Sequence, residues 1–527
     1  MCVGKTYGAL TSLASSLSGT YAGPLRLLAA EVAASLGERE VARFEAAGGK
    51  GRVGPDGEEM PEMRVGLLTG EQRSIPEGGV THVAATVEMA LTAGRLIRSS
   101  SPLGERPAVG VLDEAQLLAD PDRGFAWTRA ILGLDVDHLH VIGSPASERI
   151  VMGLVERYTG DEVAEVNHRK RLSPLHVAAK PLTGLGDVAP GDAVVGFSKR
   201  VVQQLRRAVS TKRQSASSLY GSLPPEVRLR LADDFNTGKV DVLCATDVIG
   251  LGLNLRNIRR VVFSSMTKFD GTQMRFLEPA ETQQIAGRAG RFGSAHGEGI
   301  VTAMTGPDLD LVRKHLAATI PDVTEARVLP GVEELEDFAL QVGWDSTNFS
   351  ELLRDFYDAV ELDPDSPFVL GRVEPQLEVA ALLDGVADSM ALADLHSFAS
   401  APVDLRATLV TTSFRSFARQ YAAGDQVELR LLRGGGDSSL RTLEDSYKVC
   451  NLYAWLGQRF PDAFDASIAL AEQAEIADEI VRIVRRRPAP SAPAHSSSTR
   501  QGGDASRPPR RQRRHAGGRR GDGRGRA

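Results

Sequence analysis

The sequence predicts an α/β protein: two parallel-sheet lobes, then an α-helical C-terminal region, then a disordered basic tail. Three observations carry this. Short apolar runs with turn signals between them alternate with helical patterns over residues 18–142, and do so again over 192–264. After about Thr305 apolar residues recur at helical spacing. From Arg485 onward the composition collapses to Arg, Gly, Pro and Ser. The expected boundaries are 1–157 and 158–305 for the lobes, 306–484 for the helical region and 485–527 for the tail.

Composition sets the outer limits. A chain of 527 residues is too long for one core and suggests about three domains. Cys2, Cys244 and Cys450 lie far apart, with no CxxC spacing. That argues against a disulfide framework or a zinc site and fits a reducing cytoplasm. With no apolar run long enough to span a bilayer and no signal peptide in view, the expectation is a bacterial-type cytoplasmic protein without a membrane partner. The net charge of −6 hides an uneven distribution: the tail holds thirteen arginines against Asp504 and Asp522.

Taken in order, the chain opens on Gly4-Lys5-Thr6, the second half of a phosphate-binding GxxxxGK[ST] loop. Lys5 would reach the β/γ-phosphates and Thr6 would hold Mg²⁺. The first glycine and leading strand of that motif would fall before Met1, so the first lobe reads as truncated. Residues 18–31 read as a strand, a Gly-Pro turn and a helix, and 48–62 as a glycine-rich loop insertion. Residues 66–70 and 81–89 are strand-to-helix passages. Residues 108–112 form a buried strand that delivers Asp113 and Glu114 at its carboxyl end, where open α/β sheets bind ligands. The pair is either an ordinary acidic helix start or a Mg²⁺ partner (Asp113) beside a base that orients water (Glu114). A further strand, 139–142, runs into Gly143-Ser144.

A polar connector at 167–174 leads to a second series of strands. Residues 192–199 are a strand with a polar exit; 219–226 are a strand and turn that open a helix ending near Phe235. The strand from Val240 delivers Thr246 and Asp247, and the glycines after it let backbone approach a ligand. Glu281 to Gly293 then reads as a loop-to-helix corner with Arg288 and Arg291 on one helical face, where their forks could clamp phosphate oxygens. A phosphate-binding lysine, an acidic pair after a strand and a late arginine pair are the parts of an NTPase whose arginine finger comes from a second domain.

GKT (4–6), DEAQ (113–116), ATDVIGLGLN (245–254) and QQIAGRAGR (283–291) together resemble a superfamily 2 helicase with two RecA-like lobes. GTYAGPLRLLAAEV (19–32), GLLTGEQR (66–73), ATVEM (85–89), LYGSLPPEVRLRLADDFN (219–236) and KFDG (268–271) are similar to the mitochondrial degradosome helicases, the suppressor-of-var family, which has bacterial relatives. FASAPVD (398–404), SFARQY (416–421) and NLYAWLGQRF (451–460) are similar to that family's C-terminal helical region, so the resemblance covers residues 4 to about 465.

The resemblance implies ATP- and Mg²⁺-dependent 3′-to-5′ unwinding of single-stranded or partly duplex RNA in RNA turnover, with DNA as a further substrate and an exoribonuclease as partner. By position it implies that Gly4, Lys5, Thr6, Asp113 and Glu114 hold and hydrolyse MgATP, with Thr6 and Asp113 on the metal. Gln284, Arg288 and Arg291 would complete the site, Arg291 as the finger, with Asp247 beside the nucleotide. Gly143 and Ser144 would couple hydrolysis to lobe closure. Pro24, Arg26, Thr86, Ser198 and Thr246 would face the nucleic-acid backbone. An RNA-binding scaffold with a defective ATPase and a DNA helicase are the rival readings.

Helices are expected over 309–320, 332–342, 349–360, 373–383, 440–460 and 466–484. Tyr453 and Trp455 read either as core packing or as base-stacking platforms. The tail reads as disordered, either binding RNA through its arginines or serving only as a solvated linker.

Overall fold

The computed structural model describes residues 5–46, 52–53, 59–60, 62–160, 165–210, 214–250, 252–291, 296–431 and 439–486. All of these lie in one compact unit, Met1–Arg487. The tail beyond Arg486 lies outside the described residues, as do Gly4 and the side chain of Lys5.

The first lobe contains α1 (Lys5–Ser15), β1 (Gly19–Gly23), α2 (Arg26–Ala46), β2 (Val65–Leu68), β3 (Arg73–Ser74), β4 (His82–Thr86), α3 (Ala90–Ser100), β5 (Val109–Leu112), α4 (Gly124–Gly133), β6 (His138–Val141) and α5 (Glu148–Leu154). The sheet order is β3-β2-β4-β1-β5-β6. Every pair in it is parallel except β2–β3. β1 and β5 are buried along their whole length, as strands covered on both faces by helices should be. The insertion expected as a loop carries a two-stranded hairpin, 52–53 against 59–60.

The second lobe contains β7 (Leu175–Val177), β8 (Asp192–Val195), α6 (Lys199–Val209), β9 (Ala216–Leu219), α7 (Pro225–Asn236), β10 (Val242–Ala245), β11 (Arg260–Phe263), the hairpin β12 (Thr267–Phe269) and β13 (Met274–Phe276), α8 (Pro279–Ala286), β14 (Gly299–Ala303) and α9 (Gly306–Ala317). Its sheet is all parallel, in the order β9-β10-β8-β11-β14-β7. The helical pattern that begins after Thr305 therefore starts with a helix of this lobe: Leu309 and Val312 of α9 belong to the core of the second sheet.

A short parallel pair, β15 (Ala326–Val328) with β16 (Phe368–Leu370), packs back on the first lobe, where Ala326 joins Trp127 and Ala130 of α4. Around it lie α10 (Val332–Val342), α11 (Phe349–Asp358), α12 (Glu374–Ala380), α13 (Leu392–Ala399), α14 (Thr408–Ala422), α15 (Leu440–Gly457) and α16 (Ala466–Arg485). The expected helices are present within a few residues, but α13 and α14 were not foreseen from periodicity. α14 is rich in Thr and Ser, weak helix formers, and gains its stability by burying Phe414 and Phe417. Tyr453 is core: its ring meets Phe417 edge-on and its hydroxyl donates to Val427 O at 2.6 Å. Arg485, expected to open the tail, is the last residue of α16 and pairs with Asp234 at 2.8 Å.

Candidate active site

In the first lobe the acidic corner is built from local geometry. Asp113 follows β5, is only 6 % exposed, and takes the Tyr21 hydroxyl at 3.2 Å on Oδ2 and the Glu114 amide at 2.9 Å on Oδ1. Its carbonyl accepts the Trp127 indole N–H at 2.9 Å. Glu114 has φ 56° and ψ 45°, a left-handed conformation in which a side chain costs about 1–3 kcal/mol. That turn throws its carboxylate away from the sheet toward Gln116, whose Nε2 donates to Glu114 Oε2. The other end of the same amide accepts the Ser144 backbone N–H at 3.0 Å. Gln116 thus ties the acidic corner to the Gly143-Ser144 turn, a role the sequence reading did not assign.

α1 starts at Lys5 and packs on the same cluster as β5, through Leu13 and Val109. Thr6 is half-buried in its first turn. Backbone N–H groups at a helix start and a hydroxyl on α1, with a buried carboxylate at the end of β5 on which that helix packs, are a donor set that fits a phosphate chain with a divalent cation. Among the described residues no cluster of three or more His, Cys, Asp or Glu could hold a metal by itself.

The second-lobe candidates differ from expectation. Arg288 and Arg291 do not share a helical face: α8 ends at Ala286, residues 287–290 turn, and Gly290 has φ 55°. A Cβ at Gly290 would collide with the backbone of Glu298 and Gly299, so the chain can turn there only as glycine. The segment is a helix-to-loop corner, and the two arginines differ in burial. Arg288 is 8 % exposed and points inward, donating from Nη1 to Leu253 O at 3.0 Å and from Nε and Nη2 to Gly250 O. Arg291 is half-buried and makes no hydrogen bond or ion pair among the described residues. Gln284 is exposed on α8, beside Gly250.

The loop after β10 is where the lobes meet. Leu25 of the first lobe packs against Gly252 (φ 65°), and Asn254 Nδ2 donates to Glu31 Oε1 at 2.6 Å. Asp247 is exposed and bound to Lys268 Nζ at 2.9 Å. Lys268 also holds Glu281 at 2.9 Å, and Arg275 holds it at 2.8 Å. Burial would raise the Glu281 carboxyl, but these cations and the Glu278 amide outweigh it and pull it down to about 2. The hairpin β12–β13 is therefore pinned to α8, while Phe269, Met274 and Phe276 remain exposed.

The five residues expected to face nucleic acid share one topological position. Pro24 with Arg26 follows β1, Thr86 ends β4, Ser198 follows β8, and Thr246 follows β10, so all lie at carboxyl ends of parallel strands. Ser198 also caps α6 by accepting the Val201 N–H at 3.2 Å. Arg26 is engaged, with Glu71 and Asn451 each at 3.3 Å. Trp455, 8 % exposed on α15, faces Gly70 of the first lobe, with the Arg459 guanidinium over its ring at 3.3 Å.

Comparison with known proteins supplies the family. The DEXQ-box helicase domain of Suv3 matches residues 2–168, and the helicase conserved C-terminal domain matches 180–293. Suv3 C-terminal domain 1 matches 378–422, and the SUV3 C-terminal domain of ATP-dependent RNA helicases matches 440–486. The rice protein named ATP-dependent RNA helicase SUV3, mitochondrial, is 36 % identical over 488 residues, 91 % of this chain and 77 % of its own. Human SUPV3L1, named likewise, is 35 % identical over 493 residues, and the match covers 90 % of this chain but only 57 % of the human one. Among solved structures, the Mycobacterium smegmatis helicase Lhr bound to ssDNA and AMP-PNP aligns with 91 % of this chain and 68 % of its own at 14 % identity and TM-score 0.44. Among the described residues no helix is long and apolar enough to cross a membrane. The cytoplasmic expectation is corrected by the relatives: those from rice, Arabidopsis, human and Caenorhabditis elegans are all named mitochondrial. Scattered cysteines argue against disulfides but do not tell one reducing compartment from another. The chain belongs to the Suv3 family of ATP-dependent RNA helicases.

Proposed function

We propose that this chain hydrolyses ATP with Mg²⁺ between its two lobes and uses the cycle to move 3′-to-5′ along single-stranded RNA, opening duplexes in RNA turnover. The observation that carries this is the loop after β10, which Leu25 and Glu31 engage from one lobe and Arg288 from the other. A change in how the lobes sit is felt directly at that loop. When bound, MgATP supplies the phosphoanhydride to be broken. Gly4, Lys5 and Thr6 bind its phosphates, Thr6 and Asp113 hold the metal, and Glu114 takes the proton of the attacking water. Gln284 and Asp247 line the second-lobe side, Arg288 fixes the loop, and Arg291 offers its fork to the phosphates. Gln116 carries a change at Glu114 to Ser144. Pro24, Arg26, Thr86, Ser198 and Thr246 hold the strand by its backbone, which leaves sequence unread. Release of the lobes after hydrolysis then steps the strand.

An exoribonuclease that takes up the freed strand is the partner this reading implies, and DNA is a second substrate. The scaffold reading is not favoured, because the helicase-domain match runs through the first lobe. The test is strand displacement on RNA duplexes of one sequence carrying either a 3′ or a 5′ single-stranded tail. ATP-dependent displacement of the 3′-tailed duplex alone is expected; equal displacement of both would refute the polarity.

A further inference from the structure

Arg171 lies in the connector between the lobes, outside every motif named above. Its Nε donates to Ser173 O at 2.7 Å, which locks the guanidinium against its own backbone. Nη1 then donates to Gly287 O at 2.8 Å, and Nη2 donates to Ala289 O and reaches Gly290 O at 3.4 Å. These are carbonyls at and just past the end of α8, the negative pole of its dipole, where a cation is favoured. The connector is fastened at the same place by backbone, since Gly299 N donates to Pro174 O at 3.0 Å. From the opposite side Arg288 ties the turn to Gly250 and Leu253. Residues 287–290 are therefore strung between two guanidiniums, one from the connector and one to the loop after β10. Arg291 is the next residue. Burial first, and then the charge of Arg291, lower the Arg171 guanidinium from its ordinary value, so the two cations are close enough to repel.

We infer that Arg171 is a positioning residue for Arg291: it fixes the turn after α8, and through it ties the inter-lobe connector to the arginine that completes the nucleotide site. A lysine is a poor replacement, because a point ammonium lacks the planar fork whose separate nitrogens reach the connector and the turn. The inference rests on the ATPase reading for its kinetic consequence but not for its structural one. It needs no contact between Arg171 and nucleotide.

The experiment uses the full chain with Arg171→Ala, Arg171→Lys, Arg291→Ala and the double variant Arg171→Ala/Arg291→Ala. With a single-stranded homopolymer RNA as activator, Arg171→Ala should lower ATPase kcat about tenfold, with nucleotide-free RNA affinity within about twofold of wild type. Arg171→Lys should recover little of the loss. In the Arg291→Ala background, Arg171→Ala should cost nothing further. Backbone hydrogen exchange of residues 284–291 should quicken at least about tenfold in Arg171→Ala, while α9 exchanges as before. Unchanged exchange there, or a kinetic loss that adds in full to that of Arg291→Ala, overturns the proposal. If the wild type shows no RNA-stimulated turnover, the ATPase reading fails, and the exchange data still decide the role of Arg171.

Discussion

The two lobes carry sheets of equal strand number, yet they hold their functional residues in different ways. In the first lobe the core divides into three separate clusters, and the acidic corner is set by groups of its own lobe: Tyr21 and the Glu114 amide on Asp113, and Gln116 between Glu114 and the turn at Ser144. In the second lobe one apolar core runs from Val188 through the sheet into Tyr453, Phe464 and Val484, without a break at the helical region. Its arginine turn is set from a distance, by Arg171 on one side and Gly250 and Leu253 on the other. Polar latches extend that union. Glu444 of α15, 5 % exposed, takes Lys199, Tyr220 and Ser222, while Tyr447 donates to Glu226 at 2.6 Å. The helical region is thus built largely on the second lobe, and it touches the first through Asn451 with Arg26, through Trp455 and through the β15–β16 pair, whose Ala326 packs on Trp127. A corner held within one lobe tolerates small displacements of the other; a corner braced by the inter-lobe connector transmits them.

The sharpest break of this comparison is Arg291→Ala. Loss of an arginine finger should lower RNA-stimulated kcat by about 10³-fold, with a much smaller change in the KM for ATP. A loss confined to KM would make Arg291 a binding residue only. Next come the two glycines of the two corners. Gly290→Ala meets the backbone of Gly299 at a positive φ and should destabilise the second lobe by about 2–4 kcal/mol. Gly143→Ala in the first lobe meets a side chain instead of backbone, the Ser147 hydroxyl, and should cost less, about 1 kcal/mol for the bond to Ser144 O that moving it breaks. Equal losses in denaturant midpoint would erase the distinction between the corners.

Gln116→Ala unlinks Glu114 from Ser144 and should lower kcat about tenfold while thermal stability holds. A fall in Tm with unchanged turnover would make it a structural tie alone. The smallest effect belongs to Glu281. Its folded carboxyl lies near 2, below the ordinary 4.5, so its pairing stabilises above about pH 4.5 and is lost as pH falls toward about 2. The Tm gap between wild type and Glu281→Gln should narrow across that window; a constant gap would show no linked proton.

How much of this was legible follows the same division. The strand that delivers Asp113, the glycine-lined loop after Thr246 and the alternation of strands and helices are local signals, and they were read correctly. The connector arginine was not, because only the fold brings Arg171 to residues 287–289. The helical face assigned to Arg288 and Arg291 failed for a definite reason. The spacing allowed a helix, but Gly287 and Gly290 end it, and only the approach of β14 to Gly290 shows why. α13 and α14 hid behind polar, β-branched residues whose helicity comes from tertiary packing.

The measurement that bears most directly on the central claim is RNA-stimulated ATPase of the full chain beside Glu114→Gln, with RNA affinity measured on both. The account predicts RNA-stimulated hydrolysis by the wild type, at least about 10²-fold slower turnover in the variant, and equal RNA binding. Hydrolysis that ignores RNA, or a variant as fast as wild type, would contradict the account.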